Sequence, residues 1–212
     1  WLRSDVVWTF AIAIVFLGMS AAVFGHWLEK AGPRKAGVAA AIFWGGGLMI
    51  TSLGVSLHQL WLIWLGAGVI GGIGLGLGYI SPVSTLIKWF PDRRGLATGM
   101  AIMGFGGGAM IGMPLGDNLI SSYGIAQTFF IMGCIYLTSM TIGAFGYRVP
   151  AEGWKPEGWK PEVKKTNAMI SSNHVHVGIA HKTPQFWLLW GVLCLNVSAG
   201  IGVLSVAKPM FQ

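Results

Sequence analysis

An all-α protein that crosses a membrane several times is the fold class this sequence predicts, and three observations carry the prediction. Hydrophobic residues make up 54% of the 212 residues and charged residues only 10%, against about 25% charge in soluble domains. Between Ala36 and Ile87 lie 52 residues without one Lys, Arg, Asp or Glu. From Gly95 to Gly116 charge is again absent and glycine abundant. An α-helix needs roughly 20 apolar residues to cross a hydrocarbon core about 30 Å thick, and several runs here meet that length. The 11 Trp and 33 Gly suit the class, because Trp anchors at interfaces and Gly lets helices approach closely.

Six spans follow in order. The first runs from about Val6 to Leu28 and ends in a turn, Gly25 to Lys35, with Gly32 and Pro33 as breakers and three basic residues. A second span, about Ala36 to Leu57, meets a third at the minimal polar turn His58-Gln59. The third, about Leu60 to Ile87, carries the run Gly71-Gly72-Ile73-Gly74-Leu75-Gly76-Leu77-Gly78. Such a run is a poor helix in water, but it packs well against other helices in a membrane. It is not a phosphate loop, because no Lys-Ser/Thr follows and the surroundings are apolar.

Lys88 to Gly99 then forms a short basic turn, with Pro91 ending one apolar run and Gly95 opening the next. The fourth span covers Gly95 to about Gly116, the fifth about Ile125 to Tyr147, and the sixth about Pro184 to Ala207. Between the last two, Arg148 to Lys182 is a long polar segment. It contains the tandem Glu152-Gly153-Trp154-Lys155-Pro156 and Glu157-Gly158-Trp159-Lys160-Pro161. Pro and Gly at that density predict a linker with turns at the membrane face. The organisation expected is a bundle over 1–148, a linker over 149–183, and the start of a second bundle over 184–212.

Orientation comes from counting Lys and Arg. With loops alternating sides, one set holds Lys30, Arg34, Lys35, Lys88, Arg93, Arg94, Arg148, Lys155, Lys160, Lys164, Lys165 and Lys182, and the other only Arg3 and Lys208. The twelve-to-two bias places the basic turns and the linker in the cytoplasm and both visible ends outside. Trp1 in place of Met, and an outside start without a signal sequence, read as a segment of a longer protein. The net charge of +7 sits in loops beside apolar spans, which speaks for a lipid bilayer as partner and against nucleic acid.

No catalytic constellation is present, and an enzyme is not expected. Ser81, Ser84 and Ser205 lack a G-x-S-x-G context and a His or Asp partner. His174, His176 and His181 fall in the polar linker without a nearby Cys or carboxylate, which reads as a solvated loop; no metal or other cofactor is expected. Cys134 and Cys194 both lie inside apolar runs and form no disulfide framework. Charged residues at membrane depth are functional candidates by default, but Asp117 and Lys208 read as helix-end residues at the interface. Tyr79 and Asn196 each read first as residues that hydrogen-bond between helices; Tyr79, with Asn196 and Met103 behind it, is also the candidate for lining a cavity.

The basic turns are specific. Gly25-x-x-x-Glu29-Lys30-x-Gly32-x-Arg34-Lys35 resembles the G-x-x-x-D-R-x-G-R-R signature between the second and third helices of major facilitator superfamily transporters. Glu29 replaces the Asp, Lys30 the Arg, and Pro33 occupies the first basic position after Gly32. Trp89-Phe90-Pro91-Asp92-Arg93-Arg94-Gly95-x-Ala97-x-Gly99 resembles the loop between helices four and five of that superfamily. The six spans are then helices two to seven of about twelve, an incomplete major-facilitator-type bundle. Within the superfamily, the Gly71–Tyr79 run, the W-F-P-D-R-R-G loop, the E-G-W-K-P linker and Asn196 to Leu204 resemble the oxalate/formate antiporter family.

That resemblance implies a secondary transporter in a membrane of the bacterial inner (plasma) type, moving a small carboxylate such as oxalate, formate or pyruvate by alternating access. A counter-anion or H+ would be the coupled species. Two departures leave the coupling open. The arginine of helix four has no counterpart, and the G-P signature of helix five is only approximated by Gly108-x-x-x-Gly112-Met113-Pro114. The cationic substrate ligands of the oxalate-transporting members lie on later helices, beyond the spans visible here. The cytoplasmic turns are implied to act as latches. Gly25, Glu29, Lys30, Gly32, Arg34 and Lys35 in one, and Asp92, Arg93, Arg94 and Gly95 in the other, would exchange ion pairs and helix-end contacts. A bulky residue at Gly32, or alanine at Arg93 and Arg94, is expected to lower transport. The alternative from another class is a membrane receptor or scaffold that binds a carboxylate without moving it; a channel fits less well, since no ring of charges or filter-like sequence is present.

Overall fold

The computed structural model describes residues 1, 3–151, 153–156, 175 and 177–210. The second E-G-W-K-P copy, Glu152, Lys164, Lys165, His174 and His176 lie outside the described residues. Every regular element among the described residues is helical. We number them α1 (Arg3–Ala31), α2 (Pro33–Ser56), α3 (Leu60–Trp89), α4 (94–123), α5 (125–146), α6 (Val177–Ala180) and α7 (Pro184–Met210).

Local chemistry sets these boundaries. Asp5 in the first turn and Lys30 in the last complement the dipole of α1. Gly32 separates α1 from α2, and Pro33 opens α2 at a position where its missing N–H costs nothing. The His58-Gln59 turn falls where the sequence places it, with His58 at φ 55° and the Gln59 N–H donating to the Gly54 carbonyl at 2.8 Å. Within α3, Trp64–Ile70 widens into a π-helical stretch, which no sequence pattern foretold.

One boundary differs from expectation. Instead of ending near Gly116, α4 continues to residue 123, so Asp117 lies within a helix and not at its end. Its polar residues bond back along the helix: Asn118 Nδ2 donates to the Pro114 carbonyl and Ser121 Oγ to the Asp117 carbonyl, both at 2.8 Å. The break comes at Gly124 alone, where φ is 79° and ψ 170°. By length and composition α1, α2, α3 and the stretch Arg94–Gly146 are apolar enough to cross a membrane, the last with its two arms on either side of Gly124.

The described chain divides into two compact units, Trp1–Trp159 and Lys160–Gln212. In the first, α2 is the central helix, packed against α3 on one side and α5 on another, and α1 covers the remaining face of α3. Glycines make these seams. Gly45 of α2 lies against Leu137 and Gly133 of α5, Gly74 of α3 against Trp44 of α2, and Gly72 of α3 against Ala13 and Phe16 of α1. Such close backbone approach supplies dispersion contacts where lipid offers helices no hydrophobic drive to associate. The second unit holds α6 and α7, with Cys194 exposed on α7.

Candidate functional site

In the first unit the helix ends sort into two groups. At one end the Trp64 indole donates to the Asp5 carbonyl at 3.0 Å, Trp1 faces His58, and Ser52 Oγ donates to the Ala126 carbonyl at 2.6 Å. The α2–α3 turn and the Gly124 break are therefore neighbours of the chain start. At the other end lie the α1–α2 turn, the α3–α4 turn and the residues after α5. This is the alternation that the loop charges require. Lys30, Arg34, Lys35, Lys88, Arg93, Arg94, Arg148 and Lys155 all belong to the second end.

Three hydrogen bonds hold that basic end together. Arg34 Nε donates to the Tyr147 carbonyl at 2.7 Å. The Trp89 indole donates to the Arg148 carbonyl, also at 2.7 Å. Ser81 Oγ, on a fully buried residue of α3, donates to the Pro33 carbonyl at 3.2 Å. Two of the three end on carbonyls just beyond α5, and Arg34 brings its positive charge to that helix's C-terminus, where a cation is favoured. Burial pushes the Tyr147 phenol above its ordinary pKa. Trp154, from the first E-G-W-K-P copy, meets Trp89 edge-on at 5.2 Å between ring centroids.

The residues of the first turn behave differently from one another. Gly32 adopts φ 84° and ψ 159°, a conformation essentially reserved for glycine, with open space where a side chain would go. Its requirement is therefore one of backbone, not of bulk. Glu29 and Lys30 are exposed on the last turn of α1, and among the described residues Glu29 has no ion-pair partner. Gly25 is half-buried with no atom within 4 Å of a built Cβ. Lys35 is exposed beside Arg34.

In the second turn Asp92 pairs with Arg93 at 3.6 Å, with the arginine side chain 72% exposed. Arg94 and Gly95 are exposed at the start of α4. Asp92 and Arg93 share a cavity of about 410 Å³ with Phe90, Leu96, Met100 and Trp154.

The three cavity candidates lie at mid-helix. Tyr79 is half-buried on α3, on the same side as Gly72 and Gly76, which face α1. Met103 is 71% exposed on α4. At 1.5 Å per residue, both lie roughly 15 Å along their helices from the basic end. Asn196 is exposed near the middle of α7, in the second unit. Ser81, Trp89 and Tyr147 were missed as site residues. Trp89 and Tyr147 carry a faint signal, each an aromatic beside a basic residue where an apolar run ends.

Comparison with known proteins follows the same direction. A family model described as the Major Facilitator Superfamily matches residues 1–212. An uncharacterized MFS-type transporter of Escherichia coli (strain K12), YhjX, is 29% identical over 209 residues, which is 99% of this chain and 49% of that protein. The oxalate:formate antiporter of Oxalobacter formigenes is 29% identical over 191 residues, 88% of this chain and 41% of the antiporter. Apicoplast pyruvate carrier 1 of Toxoplasma gondii is 33% identical over 128 residues, 59% of this chain and 22% of the carrier. The chain thus spans about half the length, or less, of these curated relatives.

Proposed function

The chain belongs to the Major Facilitator Superfamily, and on that premise we propose that the protein containing it is a secondary active transporter of a small carboxylate, working by alternating access. The observation that carries this reading is the gathered basic end. There Arg34 and Trp89 tie the α1–α2 turn and the end of α3 to the carbonyls that follow α5. We read this end as cytoplasmic, in a membrane of the bacterial inner type, and as the latch that closes one side of the path.

Exposed hydrogen bonds of this kind contribute little each, on the order of 1 kcal/mol, so a latch built from them can open and close at ordinary temperature. A carboxylate cargo is supported by relatives that include an oxalate:formate antiporter and an apicoplast pyruvate carrier. A counter-anion, or H+, would be the coupled species. Transporters of this type place cargo near the midplane between two halves. The mid-helix depth of Tyr79, Met103 and Asn196 supports them as lining residues, and residues 149–183 as the link between halves.

Radiolabelled counterflow in proteoliposomes tests the proposal with the full-length protein. Vesicles preloaded with oxalate, formate or pyruvate should accumulate the labelled carboxylate transiently. Specific binding without flux would replace the transporter by a carboxylate receptor.

A further inference from the structure

Two concavities meet at the basic end of the first unit. One, of about 520 Å³, is lined by the 31–35 turn and by Tyr147, Arg148 and Val149, and carries the cations of Arg34, Lys35 and Arg148. The other, of about 410 Å³, is an apolar groove between α2 and α5 lined by Trp27, Val38, Ala39, Ile42 and Phe145. Arg34 and Lys35 belong to both. Among the described residues no carboxylate lines either one.

We propose that this pair of concavities is a binding site for one anionic phospholipid, its phosphate held by Arg34, Lys35 and Arg148 and an acyl chain lying in the groove. The charge and the shape select the same molecule. Arg34 uses Nε on the Tyr147 carbonyl, which leaves the terminal NH2 groups of its guanidinium to grip a phosphate. Lys35 and Arg148 are exposed cations without a side-chain hydrogen bond among the described residues. A soluble anion would satisfy these cations but leave the groove empty, and a zwitterionic lipid would fill the groove while bringing its own cation to three others. Trp27, 40% exposed at the last turns of α1, has the amphipathic ring that settles at headgroup level. The site does not depend on the cargo, since Tyr79 and Met103, the cavity candidates of this unit, line neither concavity.

Native mass spectrometry of the full-length protein in detergent tests this, with dioleoyl phosphatidylglycerol titrated against dioleoyl phosphatidylcholine. The first phosphatidylglycerol should bind roughly 30- to 150-fold more tightly, the scale expected for two or three surface cations facing one anionic lipid. The double variant Lys35→Gln/Arg148→Gln should cut that preference about tenfold or more, leaving the few-fold that Arg34 alone supplies. A thermal unfolding midpoint in detergent equal to that of the wild type serves as the control for folding, and Lys35→Arg/Arg148→Lys should keep the preference if the first variant does not fold. Millimolar inorganic phosphate or glycerophosphoglycerol should fail to displace the lipid. Equal affinity for the two lipids, a preference undiminished by loss of both charges, or displacement by the headgroup alone would each overturn the proposal. Because the readout is lipid binding and not flux, its failure would leave the transporter reading untouched.

Discussion

Gly47 of α2 and Gly66 of α3 face each other so closely that a Cβ on either would lie 2.5 to 2.6 Å from the carbonyl oxygen of the other. The contact falls within the π-helical stretch of α3, and Thr51, fully buried, closes it from one turn away with its hydroxyl on the Gly47 carbonyl at 2.8 Å. Both obstructing atoms are backbone, so neither can rotate aside. Gly47→Ala should therefore destabilise the unit by about 1–3 kcal/mol, the usual cost of overpacking. No atom lies within 4 Å of a Cβ built on the neighbouring Gly46, and Gly46→Ala should be neutral or mildly stabilising through helix propensity. Thermal unfolding of the two variants in detergent compares them directly; equal midpoints would remove the proposed seam.

Gly32 makes the opposite case. No atom lies within 4 Å of a built Cβ, yet φ is 84°. Side-chain size should then be irrelevant, and Gly32→Ala and Gly32→Leu should each lose about 1–3 kcal/mol, within roughly 0.5 kcal/mol of each other. A steric origin would instead make leucine much worse than alanine. Unfolding midpoints of both variants separate a backbone requirement from a packing one.

The bond from Arg34 to the Tyr147 carbonyl predicts a local effect. Arg34→Gln should weaken the basic end by about 1 kcal/mol, since the pair is exposed. Arg34→Lys should not rescue it, because an ammonium on a flexible stem lacks the planar fork that reaches this carbonyl. Hydrogen exchange should speed up severalfold at the amides around Gly146 to Val149 in both variants, and remain unchanged around His58, at the far end. Uniform acceleration across the unit would mean that Arg34 supports the fold as a whole.

Much of this architecture was legible in the sequence because charge and helix breakers mark it there. His58-Gln59 is a polar pair near the middle of a 52-residue uncharged run, and it is the turn. Within the first unit the basic residues divide as the helix ends do. The end of α4 was not legible, because Asp117 and Asn118 look like loop residues until their neighbours are seen bonding back along the helix. The hydrogen bonds of the basic end were hidden for another reason. Arg34 and Tyr147 are 113 residues apart, and an acceptor that is a backbone carbonyl has no sequence signature. What the turns' charges do pairwise is not written in their spacing: the first turn makes a helix-end contact through Arg34, and Glu29 has no ion-pair partner among the described residues.

Arg93 and Arg94 are the residues through which stability and function should part. They sit at the N-cap and first position of α4, the end of a helix dipole that disfavours cations. The pairing of Arg93 with Asp92 is exposed and 3.6 Å long, and surface pairs of this kind contribute about 0–1 kcal/mol. Neither arginine is therefore placed where it stabilises the resting structure. Arg93→Ala/Arg94→Ala should leave the unfolding midpoint unchanged within about 0.5 kcal/mol, or raise it slightly through relief of the dipole clash. If the turn works as a latch, the same variant should lower counterflow at least severalfold, because its charges act in a second conformation that this structure does not occupy. A shift of 1.4 kcal/mol between two conformations changes their ratio tenfold, so a modest loss of pairing in that state is enough. Unfolding in detergent and counterflow in proteoliposomes, measured on one preparation, decide the matter. Flux at the wild-type level would remove the arginines from the mechanism, and a parallel loss of stability and flux would make them structural.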